Sequence, residues 1–224
     1  MSFAIADNLK CQTWRHALAR SVIIDTETTG LRLRDEPVEI AVIDFASGEP
    51  LFDRLIAPQH TPVSDGARAI HGISDDELAG QPSFADVAPE LQSVLWGRTV
   101  LGWNVNFDLT MLLETAKRQR CAITWMKTLR PFCAKTAYVR EVGGWRSPDD
   151  FDWISLADAA DSTGIDWRGR ARHRALTDCQ LTRELVMTRW INATKTQPST
   201  QPATQSTTQS TTQSTTQSTT RGQQ

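Results

Sequence analysis

A short apolar run in the first part of the chain sets the strongest limit on the fold. Residues 21–26 (SVIIDT) are continuous and rich in β-branched side chains, which is typical of a strand buried on both faces. The runs Val38–Phe45 and Leu51–Ala57 follow, and the Ser47-Gly48 turn between them predicts a hairpin. A strand that is apolar on both faces needs a layer of helices over each face of its sheet.

The rest of the body alternates helical periodicity with short apolar strands. Ser74 and Glu77 form a capping-box pattern at one helix start, and Ser83 caps the next helix. The predicted helices and strands are helices at 74–78, 83–95, 104–120, 131–139, 154–162 and from about 174 to 191, and strands at 99–101 and 122–126. Three early strands followed by alternating helices and strands predict an α/β fold with one mixed sheet covered by helices.

The composition divides the chain into one folded body and two ends. A chain of 224 residues that is 39% hydrophobic can bury one core but is short for two. Residues 194–224 are dominated by Thr, Gln and Ser, with Thr-Gln-Ser-Thr repeated through 204–219, and this composition predicts a disordered tail. Residues 20–193 then form the domain, and residues 1–19 form an extension whose Asn8–Leu18 segment would suit an amphipathic helix.

Charge, hydropathy and cysteine spacing exclude several classes of protein. The formal charge is −2, so the chain is no polycation that binds nucleic acid by bulk charge. Its apolar runs fall short of the ~20 residues of a membrane-spanning helix, and its first residues lack the apolar stretch of a signal peptide. The scattered cysteines form no CxxC pair, which argues against a zinc finger or a disulfide scaffold. We therefore expect a cytoplasmic protein without membrane contact.

Two acids, Asp25 and Glu27, end the first predicted strand. Side chains two residues apart on a strand point the same way, so both carboxylates face one side. Two acids side by side after an apolar run are costly unless a positive charge lies between them. Carboxylate oxygens suit Mg²⁺ and Mn²⁺, so a divalent ion is the natural partner. The alternative is a pair of solvated acids at a strand end.

Three further candidates lie at helix starts. Asp108 follows the short strand at 99–101, near the start of the next predicted helix. In open α/β sheets, binding sites form at such strand-to-helix junctions. His173 and Asp178 enter the last long helix. Taken singly, Asp108 could be a helix-dipole acid and His173 a structural histidine, and periodicity does not set which way Asp178 faces. Together, four acids and one histidine at element ends favour a site.

The segments that carry these residues resemble the motifs of the DEDDh exonucleases. They are DTETTGL at 25–31, VEIA at 38–41, AIHGIS at 69–74, N-x-x-F-D at 104–108 and HRALxD at 173–178. The resemblance covers about residues 20–192 and is closest to the branch of the DNA polymerase III epsilon subunit and exonuclease X. It implies an RNase H-like exonuclease fold, an α/β domain with a five-stranded mixed sheet flanked by helices.

The resemblance also implies an activity and its residues. The activity is hydrolysis of nucleic acid from the 3′ end, which releases nucleoside 5′-monophosphates. Asp25, Glu27, Asp108 and Asp178 would bind two divalent ions, Mg²⁺ or in its place Mn²⁺, and His173 would be the general base. Positions that lie around the terminal nucleotide in relatives are matched here by Thr26, Thr28, His71, Asn104 and Phe107.

Three functions remain open at this point. Family landmarks favour a DNA exonuclease acting on single-stranded 3′ ends, for repair or proofreading, over an exoribonuclease. A protein that only binds nucleic acid or a partner is the third reading, and the intact set of five residues argues against it. A polymerase partner is possible but not indicated, because the TQST repeat offers no hydrophobic anchor with which to dock.

A cluster of arginines precedes His173. Arg168, Arg170 and Arg172 lie within five residues, and we interpret them as a rim that follows the phosphate backbone. The alternative is a solvated loop whose charges pair with nearby acids such as Asp161 and Asp166.

The sequence departs from the family pattern in two places. Trp103 stands where relatives often have histidine, which bears on how the 3′-terminal base is held. The segment after Pro131 contains Gly143–Trp145 and Ser147–Asp150, and it is longer and more loop-like than the family minimum. Trp103 or Trp145 could stack on bases.

Overall fold

The structure, a computed structural model, describes Leu18, residues 20–171 and residues 173–192. Almost all of the predicted N-terminal extension, the tail from residue 194 and Arg172 lie outside the described residues. The strands of the main sheet are β1 (Val22–Thr28), β2 (Pro37–Asp44), β3 (Pro50–Leu55), β4 (Thr99–Gly102) and β5 (Arg130–Cys133). The helices are α1 (Asp65–His71), α2 (Asp75–Leu78), α3 (Phe84–Leu95), α4 (Val105–Arg118), α5 (Ala134–Glu141), α6 (Leu156–Thr163) and α7 (Ala175–Val186).

The five strands lie in the order β3-β2-β1-β4-β5. β1 pairs antiparallel with β2 and parallel with β4, while β3 extends β2 antiparallel and β5 extends β4 in parallel. The predicted five-stranded mixed sheet is therefore confirmed. Because β1, β4 and β5 run in parallel, their carboxyl ends meet at one edge of the sheet, where α4 and α5 begin.

The central strand is buried on both faces, as its apolar run predicts. Ile23 packs with Leu101, Phe132 and α7 on one face, and Ile24 packs with α3 and α4 on the other. Both isoleucines are fully buried. Helices on both faces thus clamp β1, and the residues at its end are held on a rigid element.

Helix caps follow the predicted chemistry. Ser74 and Glu77 form a reciprocal capping box at α2, and Ser83 forms one with Asp86 at α3. Helix α1, which the periodicity did not reveal, begins at Ser64, whose side chain accepts a hydrogen bond from the amide of Ala67.

The predictions between residues 122 and 139 were wrong in detail. The fifth strand is Arg130–Cys133 and not 122–126, and Thr124–Thr128 forms a 3₁₀ turn. The Trp125 indole donates to the carbonyl of Ala122 at 2.8 Å, a bond three residues back that an extended strand could not make. The helix predicted from Pro131 begins only at Ala134, because Pro131 and Phe132 pair with β4.

Two other segments differ from their predicted form. The last helix is regular over Ala175–Val186 and continues as a wider π-helical turn over Met187–Asn192. The segment expected to be loop-like contains a small hairpin of β6 (Trp145–Ser147) and β7 (Asp150–Phe151).

Candidate active site

Asp25, Glu27 and Asp178 bring their carboxylates together at the carboxyl end of β1. Each offers an oxygen, and these oxygens all lie within 4.8 Å of one another. Asp25 and Glu27 lie two residues apart on β1, so they share a face as their spacing predicts. Asp178 joins them from α7, which settles the orientation that periodicity left open.

Asp108 is the fourth acid of the set. It is buried in the first turn of α4, and its Oδ1 accepts a hydrogen bond from Thr26 Oγ1 at 2.8 Å. The resemblance suggests Thr26 as a residue beside the nucleotide; that role stays a prediction, and the structure shows that its hydroxyl is directed at Asp108. The side chain of Thr28 likewise turns to the backbone, donating to the carbonyl of Gly30 at 2.6 Å.

Three of the four acids have raised pKa values, so a positive charge beside them would stabilise their ionised forms. Burial raises the pKa of Asp25 well above its ordinary value, and the charges of Asp108 and Asp178 add to the effect. Burial also raises the pKa of Glu27 to about 8 and that of Asp108 to about 7. A donor set made only of carboxylate oxygens fits a hard divalent cation, which would offset this repulsion.

A partly buried ion pair joins the last helix to the sheet, with the Glu39 carboxylate buried and the Arg174 side chain 36% exposed. Glu39 on β2 accepts bonds from Arg174 Nε and Nη2 at 3.0 and 2.6 Å and from the amide of Ala175 at 2.8 Å. In the sheet, Glu39 stands directly opposite Glu27. His173 precedes this anchor in a left-handed conformation with φ 52°. Sequence reasoning missed Glu39 as a site-forming residue, although its charge within the apolar VEIA strand was a signal.

A groove of about 880 Å³ opens beside the acids. Its walls include five of the residues predicted to face metal or substrate, and these are Thr26, Glu27, Thr28, His71 and Phe107. Among them, His71 is buried. Its Nδ1 accepts from the amide of Ile73 at 3.0 Å, and its Nε2 has no hydrogen-bond partner among the described residues.

Asn104 caps α4 by position, and within the described residues its side chain makes no capping hydrogen bond. It is not among the residues that line the groove.

The arginines before His173 are engaged with acids. Arg168 Nη2 lies 3.0 Å from Asp161 Oδ1, and Arg170 Nη2 lies 2.7 Å from Glu184 Oε2. These contacts favour the alternative interpretation, a solvated loop whose arginines pair with nearby acids. The backbone-following role stays a prediction, and Arg172 lies outside the described residues.

Trp103 packs in the core and is 8% exposed. Its indole donates to the carbonyl of Ile154 at 3.3 Å and its ring leans on Tyr138. The two departures from the family pattern are therefore connected, because Trp103 bonds Ile154, a residue that follows the longer segment. Stacking of Trp103 on a base, one of the two stacking possibilities, does not fit this burial.

Comparison with known proteins supports the class that this fold and site define. The family model of the RNase_T exonucleases matches residues 22–186. An uncharacterised exonuclease, CP81 of Escherichia phage 186, is 32% identical over 168 residues, which are 74% of this chain and 85% of that protein. Exodeoxyribonuclease 10 of Escherichia coli K12 is 28% identical over 170 residues, which are 74% of this chain and 66% of that protein.

Solved structures agree with the sequence comparison. Exonuclease X in complex with 5′-overhanging duplex DNA has a TM-score of 0.56 and 25% identity, with 78% of this chain and 92% of that chain covered. The fold and the site define a DnaQ-like, RNase H-like nuclease domain. The chain belongs to the RNase_T exonuclease family. Within the described residues, no helix is long and apolar enough to cross a membrane.

Proposed function

We propose that this protein is a metal-dependent 3′-to-5′ exonuclease of the DEDDh type. Its substrate would be the 3′ end of single-stranded or frayed DNA, and its product nucleoside 5′-monophosphates. The observation that carries the proposal is the convergence of Asp25, Glu27 and Asp178 within 4.8 Å, with Asp108 buried at the same strand end. DNA is favoured because the relatives compared above include an exodeoxyribonuclease and a nuclease bound to DNA.

The four acids would hold two divalent ions, Mg²⁺ or Mn²⁺. When bound, such ions lower the pKa of a water and stabilise the charge of the leaving 3′ oxygen. The carboxylates themselves cannot take a proton from that water while they ligate metal. His173, five residues before Asp178 in the chain, is the side chain that would accept it, since histidine exchanges protons near neutral pH.

The groove beside the acids would hold the terminal nucleotide. Phe107 and His71 line it next to Glu27, so an aromatic ring and a buried imidazole would border the base and sugar. Burial lowers the pKa of His71 and the backbone of Thr28 opposes that shift, so the ring would border the groove as a neutral group.

Matched DNA and RNA oligonucleotides labelled at either end test the proposal. With Mg²⁺, 3′-labelled DNA should release its label at once as a mononucleotide, while 5′-labelled DNA should shorten stepwise. EDTA should abolish both. Release of the 5′ label first would overturn the direction, full activity in excess chelator would overturn the metal dependence, and a clear preference for RNA would make the protein an exoribonuclease.

A further inference from the structure

Three aromatic rings lie in a row on the β6–β7 hairpin and the residues that follow it. Trp145 stacks on Phe151 with ring centres 5.5 Å apart and planes 18° from parallel, and Phe151 lies 6.5 Å from Trp153 at 31°. Trp145 and Phe151 are half-buried, but Trp153 is 72% exposed. Arg140 also lies over Trp145, 4.3 Å from its ring centre. The open ring of the row is therefore Trp153.

Lys135 links this row to the acid cluster. Its side chain is buried at the start of α5, and Nζ lies 3.4 Å from the ring centre of Trp153. Burial is the main influence on the pKa of Asp108, which it raises, and the charge of Lys135 acts in the opposite direction. The ammonium thus lies over one face of the Trp153 ring, and the residue still has 72% of its surface exposed.

Rigid contacts fix the row relative to Asp108. The Trp103 indole bonds the carbonyl of Ile154, the residue after Trp153, and the Trp103 carbonyl accepts from the amide of Lys135 at 3.1 Å. Trp103 lies directly before Asn104, the cap of the helix that carries Asp108. The exposed Trp153 ring and Asp108 are therefore connected through neighbouring residues in the same region of the fold.

The hairpin does not have the charge of a phosphate-binding surface. Arg146 is paired with Asp150 at 2.8 Å and with Asp152 at 3.0 Å, and Asp149 adds a further acid at the turn. A nucleic acid would meet this surface through its bases, which are neutral and stack on aromatic rings whatever their sequence.

We propose that Trp153 is a stacking platform for a base of a single-stranded nucleic acid whose 3′ end lies at the acid cluster. The proposal rests on the proposed function, because that function brings the strand to this region of the fold. Stacking on Trp153 would hold a nucleotide upstream of the one being removed. It would therefore strengthen the binding of longer strands without touching the reacting phosphate.

Steady-state kinetics with two substrates test the platform. Decathymidylate can reach the hairpin, whereas thymidine 5′-p-nitrophenyl phosphate is too short. Trp153→Leu should raise KM for decathymidylate about tenfold or more, as expected for loss of one base–aromatic stack. The kcat for decathymidylate should stay within about twofold of wild type, because the lost contact is the same in the ground state and the transition state. The kcat/KM of the short substrate should change equally little, because that substrate does not reach Trp153. Trp153→Phe should restore most of the affinity.

Trp96 provides the matched control. It is also exposed, at 57%, and it lies beside Arg98, Thr99 and Arg130 where β4 and β5 begin, at the sheet edge away from the acids. Trp96→Leu should leave KM unchanged. The ratio of KM values between Trp153→Leu and wild type should also be the same at low and high salt, because a stacking contact releases no counterions.

Failure of the platform and failure of the proposed function give different results. If wild type hydrolyses both substrates and Trp153→Leu keeps its KM for decathymidylate, the platform is overturned and the exonuclease stands. If wild type hydrolyses neither, the proposed function fails. Fluorescence anisotropy in EDTA then tests the platform alone. Wild type should bind decathymidylate more tightly than an abasic strand of equal length, and Trp153→Leu should lose that difference. Equal binding of both strands by wild type would refute the stacking.

Discussion

Removing one acid from the cluster should change how the stability of the metal-free protein depends on pH. Burial and neighbouring charges raise the pKa of Glu27 from 4.5 to about 8, and burial raises that of Asp108 from 3.8 to about 7. Between pH 5 and 7 the folded protein therefore keeps protons that the unfolded chain has released. Stability falls wherever the unfolded state binds fewer protons, so it should decline as pH rises through this window.

The size of the effect follows from the protons involved. One proton held only by the folded state corresponds to about 1.4 kcal/mol of unfolding free energy per pH unit. For Glu27 alone, the change between pH 5 and 7 is then about 2.5 kcal/mol, a large part of the 5–15 kcal/mol typical of a domain. Glu27→Gln should flatten the slope by about 1.4 kcal/mol per pH unit.

Urea unfolding followed by circular dichroism in EDTA at pH 5, 6 and 7 measures this slope. The lowered pKa of His71 acts with the opposite sign, since its stabilisation is lost as pH falls, but it is common to both proteins and cancels in their difference. Asp76→Asn, an exposed acid on α2, is the control and should keep the wild-type slope. If wild type and Glu27→Gln have equal slopes, Glu27 does not have the raised pKa that its burial and the neighbouring acids indicate.

Four further predictions concern catalysis and binding. Asp108→Asn should lower kcat at least about 10³-fold while the circular dichroism spectrum is kept, because it removes one of the carboxylate charges that would hold the metal ions; near-normal kcat would count against a ligand role. His173→Ala should lose about 10²–10⁴-fold in kcat together with the rise of rate through neutral pH, and a mutant as fast as wild type at pH 7 would mark His173 as structural. Glu39→Gln should lower kcat and cost about 1–3 kcal/mol of stability, since it weakens an ion pair whose carboxylate is buried, whereas Asp75→Asn at the exposed pair with Arg68 should do neither. Changing Arg168 and Arg170 to Gln should leave the salt dependence of KM unchanged if their ion pairs are their role, and should lower the log–log slope by about 1.4 if they contact phosphates.

Local pattern was enough to predict the framework of the fold. The β-branched run at the start of β1 requires burial on both faces, and Ile23 and Ile24 are buried in that way. The spacing of Asp25 and Glu27 requires a shared face, because side chains alternate along any strand. Such features depend on residues close in the chain, so the sequence alone determined them, as it did the capping box at α2 and the Ser83 cap at α3.

Features that depend on distant partners were decided only by the tertiary structure. The fifth strand is such a case, because Arg130–Cys133 becomes a strand through pairing with β4, while the more apolar segment before it turns around Trp125. The pairing of Glu39 with Arg174 spans 135 residues, and that of Trp103 with Ile154 spans 51. The sequence pattern of either segment does not indicate its distant partner, because an ion pair or a single hydrogen bond does not change the local secondary-structure preference of the residues that form it. The acids could thus be identified from the sequence, but the contacts that hold them in place could not.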